Sequence, residues 1–562
     1  LNERWPIYVL IWIALAFLVV RVWRAPDSPG PADAGLDGDG AVTRVAGPEV
    51  REPQHRPPER ISAVMRHWPV ADPISDGPSR EPDQETGRDA PSRIAGEHVI
   101  RFRDAADARR FAALAEAAGA TVVGRLDGLN LLRIRVTDTA QWRRLREALP
   151  PGAQHTPNHV VWHPERRVPP EPPEGLVYAP FGAGAPMWLG LDSPWLPGAA
   201  VTVAILDDGV VLHGTLEGTP LRVFDLLDGD VGDGGLHGSA MAGLIAGRTG
   251  EVPGVAAGVE LLSYRVLDPD GSGNAFTLAQ AILAAVEAGA AVINSSLGTY
   301  GDNLALREAV AYAHARGVTI VASVGNDGLD GTLMYPAGYA SVIAVAGVDA
   351  DGRHLWFSNR GAGVDVAAPG YQLNAAWQDG QVARVSGTSA SAALVSGAAA
   401  RLLSADPTLD PDTVRAIVRA TSDDFGAPGH DPALGAGIVN LERMERRDQR
   451  GYVEMSARPP HVYVDPRTPD RFTGVFFAQN SGTETAPRVA LTVEVDGELH
   501  QTTVEAVAPG DNAVMTVDLG PREDSPRTRA VRIEAIVQGA PGPPPPVGRL
   551  AATIRLGETD RR

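Results

Sequence analysis

The sequence predicts a doubly wound α/β domain with a mostly parallel sheet, set between a small α+β unit and an antiparallel β-sandwich. Three observations carry this expectation. Between residues 185 and 446, near-continuous apolar runs alternate with helical segments. Such runs mark strands covered on both faces. Residues 95–168 follow a strand-helix-strand-strand-helix order. Residues 452–557 hold short strands punctuated by Asp496-Gly497, Gly510-Asp511 and Gly520-Pro521. Short strands separated by turn dipeptides predict a sandwich.

Each element follows in chain order. Trp5 to Val20 is uncharged and apolar, flanked by Arg4 and Arg21, with Trp5 and Trp23 at its ends. As a helix, Trp5 to Trp23 spans about 28 Å at ~1.5 Å per residue, near the ~30 Å of a bilayer core. Residues 1–24 are therefore expected to be an uncleaved transmembrane anchor. A signal peptide is the rival, but bulky Val22-Trp23-Arg24 offers no small-x-small cleavage site. Residues 25–94 are rich in Pro, Gly and charge, and poor in apolar side chains. Such a segment is expected to be a disordered linker.

Within 95–168, His98 to Phe102 alternates like a strand. Asp107 to Ala118 places Phe111, Leu114 and Ala118 on one helical face. Two strands, Thr121–Val123 and Leu131–Val136, and the helix Thr139–Leu149 follow, with a last strand at His159 to Trp162. This is a ferredoxin-like pattern. In the central domain, strands are expected at Val201–Leu206, Leu261–Leu267, Ala291–Asn294, Val318–Ser323 and Val342–Val348. Helices are expected at Ala279–Ala288, Leu304–Ala315 and Ala390–Ser404.

Composition narrows the chemistry. The chain has no cysteine, and all 50 basic residues are arginine. Thiol nucleophiles, Cys-held metals, Schiff-base lysines and Walker-type phosphate loops are excluded. With 69 acidic residues the net charge is −19, which argues against nucleic-acid binding.

Ligands of open α/β sheets bind at strand carboxyl ends. Asp207-Asp208-Gly209 follows the first strand. His237 opens a helix of small residues in HGSAMAG, and Ser389 opens another in SGTSASAALVSG. Alone, each has an ordinary reading: a turn, a structural histidine, a helix cap. Together, the order Asp, His, Ser is one of the orders of a Ser-His-Asp triad. Ser389 does not lie in a Gly-x-Ser-x-Gly elbow.

These motifs resemble the subtilisin-like serine proteases. VAILDDG at 203–209, HGSAMAG at 237–243 and SGTSASAALVSGAAA at 386–400 look like that family's Asp, His and Ser segments. INSSLG at 293–298, VASVGND at 321–327 and VAAPG at 366–370 match in order. The resemblance implies serine endopeptidase activity on a polypeptide substrate, with Asp207, His237 and Ser389 as the triad. It implies that Asn326 donates to the oxyanion. Ser296, Leu297 and Gly298 would form one edge of the substrate groove, and Gly271, Ser272 and Gly273 the other. Gly325 and Met334 would line the pocket before the scissile bond, with Met334 making it shallow and favouring small apolar residues. The unit at 95–168 resembles the family's propeptide, so the chain is expected to cut itself between about 163 and 190.

No cofactor or metal is expected: Asp268 to Asn274 looks like the start of an EF-hand loop, but the twelfth position is Ala279. Ala240 and Ala393 depart from the family's usual second His and Pro. They keep open an alternative, a catalytically weak peptide-binding or adhesion scaffold. The resemblance favours a protease domain on the extracytoplasmic side of the membrane, whereas Arg21 and Arg24 slightly favour a cytoplasmic one. Oligomeric state is left open.

Overall fold

A computed structural model describes residues 93–164, 172, 178–191, 193–211, 213–227, 235–427, 429–457, 460–463, 470–521, 527–539 and 548–556. The expected anchor at 1–24 and nearly all of the expected linker at 25–94 lie outside these residues. Among the described residues no helix is long and apolar enough to cross a membrane.

The chain begins with β1 (Arg93–Arg101), α1 (Ala105–Ala117), β2 (Thr121–Leu126), β3 (Leu131–Arg135), α2 (Thr139–Glu147) and β4 (Gln154–Trp162). The sheet order is β2-β3-β1-β4, with antiparallel neighbours. Asp104 and Asp138 cap the two helices through backbone N–H groups. Ile100, Phe102, Phe111, Ala115, Leu132, Ile134 and Leu145 form the unit's core. The helical face differs from expectation at Leu114 and Ala118, which are both exposed. The small Ala108, Ala112 and Ala115 bring α1 close to the sheet instead.

The central sheet is built from β5 (Thr202–Asp207), β6 (Leu221–Asp225), β7 (Glu260–Arg265), β9 (Val292–Ser295), β10 (Thr319–Ser323), β11 (Val342–Val348) and β12 (Val366–Pro369). A short β8 (Ser272–Asn274) stands apart from it, as does the ribbon of β13 (Leu373–Ala376) and β14 (Val382–Val385). The order β12-β11-β10-β9-β5-β7-β6 is parallel throughout. Sequence order reverses between β5 and β9, which opens a crevice at their carboxyl ends. The longer helices are α3 (Leu236–Ala246), α4 (Ala275–Glu287), α5 (Leu304–Ala315), α6 (Thr388–Ala405) and α7 (Pro411–Ala420). Gly397 on α6 lets Val255 approach: a Cβ there would lie 2.7 Å from it.

The N-terminal unit docks on this domain through two helix starts. Asn158 Oδ1 accepts from the Phe276 N–H of α4 at 3.3 Å, and Thr156 Oγ1 from the Leu304 N–H of α5 at 3.2 Å. Both are among the N–H groups that a helix cannot satisfy internally.

The C-terminal region has β15 (Met455–Ala457), β16 (His461–Tyr463), β17 (Arg471–Asn480), β18 (Ala486–Val495), β19 (Glu498–Val507), β20 (Asn512–Pro521), β21 (Arg527–Gln538) and β22 (Gly548–Leu556). They form two antiparallel sheets, one around β17 and one of order β19-β18-β21-β22. Phe472, Phe476 and Met515 share a core with Val489, Leu491 and Ile533.

Candidate active site

Three segments distant in sequence meet at the crevice. Asp207 ends β5 and is 1% exposed. His237 Nδ1 lies 2.9 Å from each of its carboxylate oxygens. Burial pushes the Asp207 pKa up, but His237 and then His163 outweigh it and hold the pKa well below the usual carboxylate range. An ionised carboxylate only accepts, so the facing ring nitrogen carries a proton.

His237 is the second residue of α3. Asp208 fixes the start of that helix, accepting from the N–H groups of His237 at 3.2 Å and Gly238 at 2.8 Å. Burial, then Asp207 beside it, pushes the Asp208 pKa up. A Cβ on Gly238 would lie 2.0 Å from the Gly209 carbonyl oxygen. The Asp-Asp-Gly tripeptide thus divides its work: one carboxylate meets the imidazole ring and the other the imidazole's helix.

Ser389 is the second residue of α6 and is buried. Its Oγ donates to the Ser296 carbonyl at 3.1 Å, and Ser296 Oγ donates to the Ser389 carbonyl at 3.0 Å. Asn326 Oδ1 accepts from Thr388 N–H at 3.0 Å and from Thr388 Oγ1 at 2.7 Å. This fixes which end of the amide faces Thr388 and turns Nδ2 the other way.

The two expected groove edges hold a strand of the chain itself. On one side, β8 pairs antiparallel with β4, matching Val161 with Gly273 and Trp162 with Ser272. On the other, Trp162 and Gly298 exchange N–H to carbonyl bonds of 3.1 Å each way. Leu297 is buried behind this edge. Gly271 makes the turn into β8 with φ +75°, and Asp270 Oδ1 accepts from Ser272 Oγ at 2.7 Å. After Trp162 the chain enters the crevice: His163 Nε2 lies 2.7 Å from Asp207 Oδ1. The His163 ring stacks on His237 with centroids 3.8 Å apart. Pro164 is buried.

Met334 lies beside Gly298, where a Cβ would come within 3.3 Å of Met334 Cβ. A Cβ on Gly325, which has φ +109°, would lie 2.9 Å from Met334 Cγ, 2.9 Å from the Tyr300 hydroxyl and 2.3 Å from Asn359 Nδ2. Asn359 donates to Tyr300 Oη at 2.8 Å, and Tyr300 donates to Asp327. The structure thus joins His237 to Asp207 and Ser389 to Ser296, with Ser389 Oγ donating to the Ser296 carbonyl rather than to His237, and it sets Gly273 and Gly298 on either side of the strand 160–162. His163, Asp208, Thr388, Tyr300 and Asn359 also take part but were not singled out. Only Asp208 carried a signal, as the second acid of its motif. Among the described residues, His163, Asp207 and His237 are the cluster whose ligand atoms could surround a metal, all within 4.8 Å of one another.

A family model described as the subtilase family matches residues 198–437. Subtilisin Savinase of Lederbergia lenta is 34% identical over 253 residues, covering 45% of this chain and 93% of that protein. Subtilisin DY of Bacillus licheniformis is 37% identical over 251 residues, covering 44% and 90%. In a solved structure, fervidolysin from Fervidobacterium pennivorans, described as a keratinolytic enzyme related to subtilisin, shares the fold. It has a TM-score of 0.55 at 19% identity and covers 84% of this chain and 92% of that one. An α/β hydrolytic domain with an acid-imidazole pair at its switch point is thus matched by proteases over nearly their whole length. The chain belongs to the subtilase family and is a subtilisin-like serine peptidase.

Proposed function

We infer that the protein is an endopeptidase working through Asp207, His237 and Ser389, with residues 95–168 as its propeptide. The bond of His237 Nδ1 to the buried Asp207 carboxylate, at the mouth of a groove that holds an extended strand, carries this reading. Ser389 Oγ turns from the Ser296 carbonyl toward His237, gives its proton to Nε2 and attacks the substrate carbonyl. The oxyanion is held by Asn326 Nδ2 and the Ser389 backbone N–H. Collapse expels the amine, which takes the proton from His237. Water then hydrolyses the acyl-enzyme by the same route. Asp207 keeps the ring in the useful tautomer and stabilises the imidazolium.

The sheet order β2-β3-β1-β4 supports a ferredoxin-like propeptide, and its capping of α4 and α5 supports a folding role. Strand 160–162 in the groove supports self-cleavage just beyond it, between about 163 and 190. The two sheets of 452–557 support a β-sandwich. Residues 1–24 would anchor the chain in a membrane with the protease domain extracytoplasmic. A wild-type preparation should show two bands on a gel and take a fluorophosphonate label on Ser389. The Ser389→Ala chain should stay whole and unlabelled. Identical bands in both remove self-processing, and an unlabelled wild type favours the peptide-binding scaffold.

A further inference from the structure

The groove of this chain holds a sequence as well as a strand, and one side chain of that sequence reaches the catalytic pair. His163 makes two contacts at once. Its ring lies on the His237 ring, tilted by 29°. Its Nε2 lies 2.7 Å from the same Asp207 oxygen that His237 meets at 2.9 Å. Asp207 is buried and ionised, so each of these ring nitrogens donates. The carboxylate therefore receives two imidazole donors as well as the Asp208 N–H at 2.8 Å.

Among histidine, phenylalanine, glutamine and alanine, only histidine meets both demands. Phenylalanine can stack but cannot donate. Glutamine can donate but offers no ring. Alanine does neither. The register is fixed by backbone bonds on both sides, from Val161 to Gly273 and from Trp162 to Gly298. A bound polypeptide in that register must place its next side chain on His237. The residue after it is Pro164, which is buried.

We propose that the enzyme selects polypeptides carrying a histidine in the position His163 fills, read by Asp207 through a ring N–H and by His237 through stacking. The inference rests on the endopeptidase reading and names the substrate class of that same site. One charge-assisted hydrogen bond and one ring contact set the expected preference at about tenfold.

The test uses the full chain as isolated, with active sites counted by fluorophosphonate and with EDTA present so that no metal bridges the imidazoles. Quenched-fluorescent peptides of sequence Val-Val-Trp-Xaa-Ala-Glu-Arg carry His, Phe, Gln or Ala at Xaa, and mass spectrometry locates the cut. The expected result is cleavage within two residues after Xaa, with kcat/KM for His about tenfold above Phe and Gln, and Ala lowest. Equal or faster cleavage of the Phe peptide by a chain labelled at Ser389 overturns the preference and leaves the protease reading standing. A chain that takes no label and cuts no peptide overturns the protease reading and this inference with it.

Discussion

At the residue scale, the site depends on amide and carboxylate ends being held the right way round. Thr388 takes the Oδ1 end of Asn326 through two bonds, so the donor end is set before substrate arrives. A preset donor is worth most where charge develops. Asn326→Leu should lower kcat by about 10²- to 10³-fold and leave KM nearly unchanged, as steady-state kinetics on a peptide substrate would show. A matching rise in KM would mean that Asn326 binds ground state and transition state alike. Met334 acts on a different quantity. It is 1% exposed and lies against Gly325 and Gly298, so on the proposed reading it would take volume from the pocket before the scissile bond. Met334→Gly should shift cleavage toward Phe at the position before the cut, with Ser389 labelling unchanged. A peptide-library profile that stays on small residues would assign the restriction to Tyr300 and Asn359 instead.

At the element scale, the long helix α6 carries Ser389 at one end and a buried cation near the other. Arg401 is 3% exposed, and its Nη1 donates at 3.0 Å to the carbonyls of Ser193, Trp195 and Val255. The same guanidinium pairs with Glu445. Arg401→Leu leaves those carbonyls and the part-exposed Glu445 without their donor, at a cost of about 1–3 kcal/mol that falls mainly on the buried Val255 carbonyl. Arg401→Lys should recover little of it, because an ammonium lacks the guanidinium fork. Thermal unfolding of both variants would test this; full stability in the Lys variant would show that charge alone suffices. The elements also show what was readable in advance. Strands β5, β7, β9, β10 and β11 announce themselves because both of their faces are buried, so their sequences are largely apolar. The edge strand β6 reads Leu-Arg-Val-Phe-Asp with much of it exposed and gives no such signal. Strand β8 is Ser-Gly-Asn and has no strand propensity of its own. Its backbone becomes a strand because β4 pairs with it, and sequence patterning does not encode that tertiary cause. The proposed triad could be named in advance because each of its members sits in a local motif. Asn359, Tyr300 and His163 were not, because their parts are set by neighbours far away in the chain.

At the scale of the whole molecule, the N-terminal unit and the protease domain share a face whose ionisable groups answer to pH. His159 is 3% exposed, and its ring packs against Gly301 of the protease domain. Burial, then the charge of Arg93, lowers its pKa to about 4, with Asp302 pulling weakly the other way. In the same unit, burial and then His155 lower the pKa of His98 to about 4. Within the protease domain, burial and then Arg360 take His354 to about 4. Each histidine binds a proton below about 6.5 when unfolded and only near 4 when folded. The unfolded chain therefore holds more protons between those values, and stability must fall as pH drops from about 6.5 to about 4. Glu308, which pairs with Arg101 across the two parts at 2.9 Å, works against this trend, because burial raises its pKa; Asp208 does likewise. The uncut Ser389→Ala chain isolates the effect, since no cleavage intervenes. Its thermal midpoint should decline steadily from pH 6.5 to pH 4, and His159→Gln should flatten part of that decline. A midpoint that holds constant across the window would mean that the carboxyl groups offset the histidines. A decline unchanged in His159→Gln would locate the sensitivity at His98, His155 and His354 instead.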